Sequence, residues 1–258
     1  MTQTTAPVML HCPVHGAYPR KEVSALGLTI RQDRCSQCLR AELDAEQAVA
    51  NAKESAIRQS RLEKRIGQAG VPDGFKSRTL ATFRAETAEQ QTALDAASKY
   101  AAGFRQHRDS GYSLIFLGGI GTGKTHLGVG ITTAVLAQGY SAMYETANDI
   151  VTRMRDCMRR DAAVSTSAML DTYGSIDLLI MDEIGIQAAT DDVLTHLTNV
   201  IDRRYRNARP TVFISNLDRA SFPVYLGERI ADRLRERASA ITFNWQSQRA
   251  KARANAGF

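Results

Sequence analysis

Eight residues carry the strongest chemical signal in the chain. Gly118-Gly119-Ile120-Gly121-Thr122-Gly123-Lys124-Thr125 fits the phosphate-binding pattern G-x-x-x-x-G-K-[ST]. Glycines let the backbone bend until successive N–H groups point inward at phosphate oxygens, and the positive end of a following helix favours the same anion. Lys124 is suited to neutralise the β- and γ-phosphates, and the Thr125 hydroxyl to ligate Mg²⁺. Gly118, Gly119, Ile120, Gly121, Thr122, Gly123, Lys124, Thr125 and His126 are therefore the expected nucleotide-contacting stretch.

A second signal lies downstream, where Leu178-Leu179-Ile180-Met181 runs into Asp182-Glu183. In a parallel sheet the carboxyl ends of the strands line the ligand crevice. Asp182 is then placed to hold Mg²⁺ and Glu183 to polarise the water that attacks a γ-phosphate. Thr211-Val212-Phe213-Ile214-Ser215 delivers Asn216, whose amide can orient that water. Arginines crowd the C-terminal segment at 229, 233, 235, 237 and 249. Arg229 and Arg233 are four apart and share a helical face; such a face is either solvated or supplies a finger to a neighbouring subunit's phosphate site.

The third signal is Cys12-Pro13-Val14-His15 followed, nineteen residues later, by Cys35-Ser36-Gln37-Cys38. Each pair has the spacing that lets two ligands grip one ion, and four N/S ligands suit tetrahedral Zn²⁺. His11 competes with His15 for the nitrogen position but sits directly beside Cys12. Some 40 residues bury too little surface to fold unaided, and a metal supplies what the core lacks. Cys157 stands apart in a helical stretch and reads as packing.

The elements that must position these residues follow from composition and periodicity. Leu39 to Ala69 is rich in Ala, Glu, Gln, Lys and Arg with a thin apolar stripe, and so reads as a long solvated or partner-binding helix. Gly70-Val71-Pro72-Asp73-Gly74 stops it. Helices are expected over 88–104, 125–138, 147–160 and 191–206, and strands over 114–117, 141–146, 176–181 and 211–215. The alternation implies a parallel sheet with helices on both faces. Residues 1–40 are the expected zinc-binding module, 41–70 a helical linker and 71–258 the nucleotide-binding domain.

Over 258 residues the hydrophobic share is 43%, which fits a globular chain. No apolar run nears the roughly 18 residues of a membrane span, and the N-terminus has no secretory pattern. Four cysteines are too few for a disulfide scaffold, so a reducing cytoplasm is the expected compartment. The net charge is +6, and from Arg229 onward seven Lys or Arg stand against two Asp or Glu. A polyanion partner is permitted by that charge but not required.

Together Gly-Thr-Gly-Lys-Thr-His-Leu (121–127), Asp-Leu-Leu-Ile-Met-Asp-Glu-Ile-Gly (177–185), Ile-Asp-Arg-Arg-Tyr (201–205), Ser-Asn-Leu (215–217) and Gly-Glu-Arg-Ile-Ala-Asp-Arg-Leu (227–234) resemble the DnaC-type helicase loaders, within the DnaC/IstB branch of the AAA+ ATPases. The tail Phe-Asn-Trp-Gln-Ser-Gln-Arg (243–249) is especially similar. The resemblance runs from about Val71 to Arg249 and implies an α/β P-loop fold of the AAA+ type. It also implies an ATPase that binds the replicative hexameric helicase, delivers it onto single-stranded DNA and self-associates through the ATPase interface. Arg233 then matches the arginine finger acting across that interface, Arg249 an arginine sensing nucleotide from the C-terminal end, and Asn216 the polar sensor. The segment Asp149 to Asp161, with Arg153, Arg155, Arg159 and Arg160, matches a loader-specific element near DNA. Zinc-knuckle N-termini of this kind occur in phage and prophage relatives, where the N-terminal region is expected to hold the helicase. Two other readings stand beside this one. An IstB-type helper of DNA transposition is disfavoured by the 243–249 tail. A zinc-dependent nucleic-acid-binding regulator with a non-hydrolysing nucleotide switch is disfavoured by intact Lys124, Asp182 and Glu183.

Overall fold

The computed structural model describes residues 8–25 and 28–248. Two compact units divide the chain, Met1–Arg61 and Leu62–Phe258. In the first, β1 (Met9–Cys12) pairs antiparallel with β2 (Gly16–Pro19), and β3 (Lys21–Ala25) with β4 (Leu28–Gln32). The long α1 (Ser36–Gln68) starts there. Among the residues of this unit whose burial is described, only Cys12 and Cys35 are buried, at 5% and 6% exposure. For the β1–β2 hairpin apolar burial is therefore small.

The last turn of α1 belongs to the second unit. Arg65 donates to the carbonyls of Leu136 and Tyr140, Ile66 and Ala69 are buried, and the Tyr144 N–H donates to the Ala69 carbonyl at 2.7 Å. The unit therefore begins before the glycine stop at 70–74. Gly70, at φ +77°, lies so close to the Tyr144 carbonyl that a Cβ would stand 2.6 Å from it.

The second unit continues through α2 (Ala88–Ala102), α3 (Phe104–Ser110), β5 (Ser113–Gly118), α4 (Lys124–Ala137), β6 (Ala142–Thr146), α5 (Ala147–Asp156), α6 (Thr166–Ser175), β7 (Leu178–Ile184), α7 (Asp191–Arg206), β8 (Thr211–Ser215), α8 (Ser221–Leu226), α9 (Glu228–Arg237) and β9 (Ala238–Phe243). Its five strands pair in parallel in the order β6-β7-β8-β5-β9. Both faces are covered, so the strands are apolar throughout rather than alternating. Phe116, Ile180, Ile214 and Phe243 pack with Leu127 and Ile131 of α4 on one face. Ile115, Leu117, Leu179, Met181 and Phe213 pack with Ile150 of α5 and Leu197 and Val200 of α7 on the other. Thr87, Thr146 and Thr190 cap α2, α5 and α7 by accepting the N–H three residues on.

Three features depart from the periodicity. Strand β9 extends the four expected strands to five; Ala-Ser-Ala-Ile-Thr-Phe has too weak an apolar run to announce itself. Helix α6 occupies a stretch with no clear stripe. Helix α5 ends at Asp156, short of Arg160. No described helix is long and apolar enough to cross a membrane.

Candidate functional site

The phosphate loop leaves β5 and enters α4, and its path requires three glycines. Gly118, Gly121 and Gly123 have φ of 130°, 78° and 96°, conformations that side chains rarely adopt. At Gly118 a Cβ would stand 2.4 Å from the Phe243 carbonyl, because the loop starts pressed against β9. Five of the six carbonyls from 118 to 123 are engaged by donors. Lys124 Nζ donates to Gly118 O and Gly119 O at 2.7 Å each, and Thr122 Oγ1 donates to Gly119 O. Gln248 N–H donates to Gly121 O at 3.0 Å, Trp245 Nε1 to Thr122 O at 2.9 Å, and Leu127 N–H to Gly123 O. In a trans peptide each engaged carbonyl sets the next residue's N–H to face the other way, the arrangement that suits an anion-binding nest. Desolvation lowers the Lys124 pKa to about 8, and the charge of Asp182 opposes the shift.

Asp182 is 3% exposed and collects donors. Its Oδ2 accepts from Thr125 Oγ1 at 2.9 Å and from Tyr144 Oη at 2.7 Å, and its Oδ1 accepts the Glu183 N–H at 2.7 Å. A hydroxyl and a carboxylate oxygen side by side form a hard donor pair fit for Mg²⁺. Next to it the β7–β8 ladder slips register between Met181 and Ile184, and Glu183 takes φ 61°. That left-handed geometry is unusual for a non-glycine residue and turns the Glu183 carboxylate outward while Asp182 stays in. Burial first, then the charges of Asp182 and Asp149, raise the Glu183 pKa above the usual carboxylate value. Ser215 Oγ donates to Ile184 O at 2.6 Å and accepts the Leu217 N–H, tying the ends of β7 and β8 around Asn216.

A cavity of about 420 Å³ gathers these groups: Ile120 through His126, Asp182, Glu183 and Asn216 share it with Gly74, Phe75, Arg78 and Gln248. His126 lines it, but Nε2 donates to the Thr79 carbonyl at 2.9 Å and the ring meets Phe83 edge-on. Tyr144, Phe75, Arg78, Trp245 and Gln248 were not legible as site residues. The strand register brings Tyr144 to the loop, the turn segment 73–78 brings Phe75 and Arg78, and the tail brings Trp245 and Gln248, although the single Trp of the chain was a signal.

Arg233 lies away from this cavity. It pairs with Asp202, which also accepts Arg229 at 2.6 Å, and its guanidinium stands 5.0 Å from the centre of the Tyr205 ring. Arg249 is outside the described residues. In the 149–161 segment Arg153 pairs with Glu145, Arg155 with Asp192 and Arg159 with Asp161, whereas Arg160 has no partner among the described residues.

In the first unit Cys12, His15, Cys35 and Cys38 bring three sulfurs and one ring nitrogen within 4.8 Å of one another. Cys38 Sγ is 3.5 Å from Cys12 Sγ and 3.3 Å from His15 Nδ1. Tetrahedral zinc bonds of about 2.3 Å to sulfur place ligands roughly 3.8 Å apart, so the donor set fits that ion. The turn 13–15 folds back so that the N–H groups of Val14 and His15 lower the Cys12 thiol pKa to about 6. His15, not His11, is the nitrogen of the cluster.

The profile of the family described as IstB-like ATP binding protein matches residues 43–256. The chain is 30% identical over 208 residues to the replicative helicase loader DnaC of Buchnera aphidicola subsp. Acyrthosiphon pisum, covering 79% of this chain and 83% of that one. It is 31% identical over 201 residues to DnaC of Escherichia coli K12, covering 78% and 80%. The crystal structure of a DnaC helicase loader superimposes with a TM-score of 0.61 at 23% identity, covering 67% of this chain and 99% of that one.

Proposed function

The chain belongs to the IstB-like ATP-binding family, in its DnaC-type helicase-loader branch, and from that premise we propose that it is an ATP-dependent loader that delivers a hexameric replicative helicase onto single-stranded DNA. The observation that carries the reading is the cavity in which the phosphate loop meets the Thr125–Asp182 pair, Glu183 and Asn216. In this reading the loop amides and Lys124 hold the ATP phosphates, and Thr125 and Asp182 hold Mg²⁺, which neutralises charge developing on the transferred phosphoryl group. Glu183 accepts the proton of the attacking water, and Asn216 orients that water.

Arg233 serves a neighbouring copy. It is absent from its own chain's cavity, and the Asp202 carboxylate holds it ready on α9. The four-ligand cluster holds Zn²⁺ and orders the first unit, which with α1 grips the helicase; Leu43, Val49 and Ile57 are exposed along that helix.

The test is a pull-down of the cognate hexameric helicase with and without ATP, followed by loading of that helicase onto single-stranded DNA by Lys124→Ala. Loading should be lost, and loading at the wild-type level would refute the ATP switch. The IstB-like family description keeps one other partner class in view. Co-purification with a transposase instead of a helicase would select it.

A further inference from the structure

The tail 243–248 leaves the end of β9, which lies beside the start of the phosphate loop, and contacts that loop through two donors. Trp245 Nε1 bonds Thr122 O and Gln248 N–H bonds Gly121 O, while Gln248 Nε2 donates to Arg84 O at 3.2 Å. The indole is anchored from behind: its ring lies 4.8 Å from Phe243, which lies 5.2 Å from Phe116 in the core. Phe243 is 1% exposed and pairs with Gly118 at the start of the loop.

A trans peptide is planar, so its C=O and N–H point in opposite directions. Fixing the Gly121 carbonyl outward fixes the Thr122 N–H inward, and fixing the Thr122 carbonyl outward does the same for the Gly123 N–H. Those two amides belong to the nest that faces phosphate. With glycines at 121 and 123 the free loop can rotate either plane at little cost, and an outward-turned amide is lost to the anion.

We propose that Trp245 and Gln248 are positioning residues that set two peptide planes of the phosphate loop and so couple the C-terminal tail to phosphate binding. The proposal rests on the reading that this loop binds ATP. Linkage requires the converse: bound phosphate holds the tail in place by the same factor with which the tail favours phosphate.

The chain contains one Trp, so incorporation of β-(3-benzothienyl)alanine replaces Trp245 alone, with sulfur in place of the indole N–H and the ring shape kept. Gln248→Pro removes the second donor. Binding of a non-hydrolysable ATP analogue, measured by isothermal titration calorimetry, should weaken about three- to tenfold for each, the scale of one net hydrogen bond. A purely structural tail would instead lower the melting temperature of the nucleotide-free chain and leave affinity unchanged. Affinity within twofold of wild type in both altered chains overturns the proposal. If the unaltered chain binds no analogue, the nucleotide reading itself fails, which is a separate result. In the wild type, adding the analogue should shift Trp245 emission and reduce its quenching by acrylamide, and Lys124→Ala should abolish both; a response persisting in Lys124→Ala counts against the coupling.

Discussion

Tyr144→Phe separates metal handling from nucleotide binding. Tyr144 Oη and Thr125 Oγ1 donate to the same Asp182 oxygen at 2.7 and 2.9 Å. On the reading that Thr125 and Asp182 would hold Mg²⁺, the Thr125 hydroxyl would turn to the metal and Tyr144 would be the side-chain donor left to hold Asp182 in its rotamer. Burial first, then the adjacent Asp182, push the phenol pKa above its usual value, so the hydroxyl keeps its proton and donates at neutral pH. Tyr144 is 6% exposed, and Phe keeps the ring and deletes only the donor. A hydrogen bond to a charged acceptor contributes about 1.5–3 kcal/mol, and loss of a group that orients a metal ligand costs about 10–100-fold in metal affinity or activity. The Mg²⁺ concentration for half-maximal ATP hydrolysis should therefore rise at least about tenfold. Magnesium-free nucleotide binding, followed by calorimetry in excess EDTA, should change less than about twofold. An unaltered Mg²⁺ dependence would refute the reasoning, because Asp182 would then need no support from β6.

The metal cluster predicts about one zinc per chain by elemental analysis, consistent with four ligands and one site. Cys38→Ser or a strong chelator should abolish amide-exchange protection across Met9–Pro19 while leaving β5, β7 and β8 protected; persistence of the hairpin without metal would remove zinc as its support. For Glu183, the raised pKa places the acid limb of ATP hydrolysis above that of an ordinary glutamate, since the base works only when deprotonated and is lost as pH falls through the raised value. Asp149→Asn removes one cause of the shift and should move the limb to lower pH; a limb that stays put would show that Glu183 does not set it.

What the sequence disclosed and what it withheld divide along a physical line. Phosphate loop, Asp182, Glu183 and the cysteine pairs are local: a few neighbouring residues carry the whole requirement, so spacing alone exposed them. Tyr144, Trp245 and Gln248 act at the site only because β6 aligns with β7 and the tail crosses to the loop, and no window of sequence contains both partners. Arg204 is the extreme case. It reads as one more base in the Asp-Arg-Arg-Tyr run, yet it is 1% exposed and donates to the carbonyls of Tyr173, Ile176 and Pro210 and to Thr211 Oγ1. Its acceptors lie at the end of α6 and the start of β8, and such a role is invisible until those ends meet.

The same distinction changes the meaning of the positive charge. A basic segment suggests a polyanion partner only while its charges are unspent. In the described residues, Arg229 and Arg233 converge on the single carboxylate of Asp202, Arg235 is shared between Glu228 and Asp232, and Arg237 pairs with Glu236 and lies over Tyr205. Two guanidiniums on one carboxylate leave that cluster with a net positive charge on a side chain only 11% exposed. An anion arriving from another molecule would therefore compete with Asp202 for Arg233 and find Arg229 still there to keep the carboxylate paired. This arrangement favours a discrete phosphate delivered at an interface over a long backbone, because a nucleic-acid track needs a row of unpaired cations. By that criterion Arg160 is the better candidate for a strand contact than the arginines of α9.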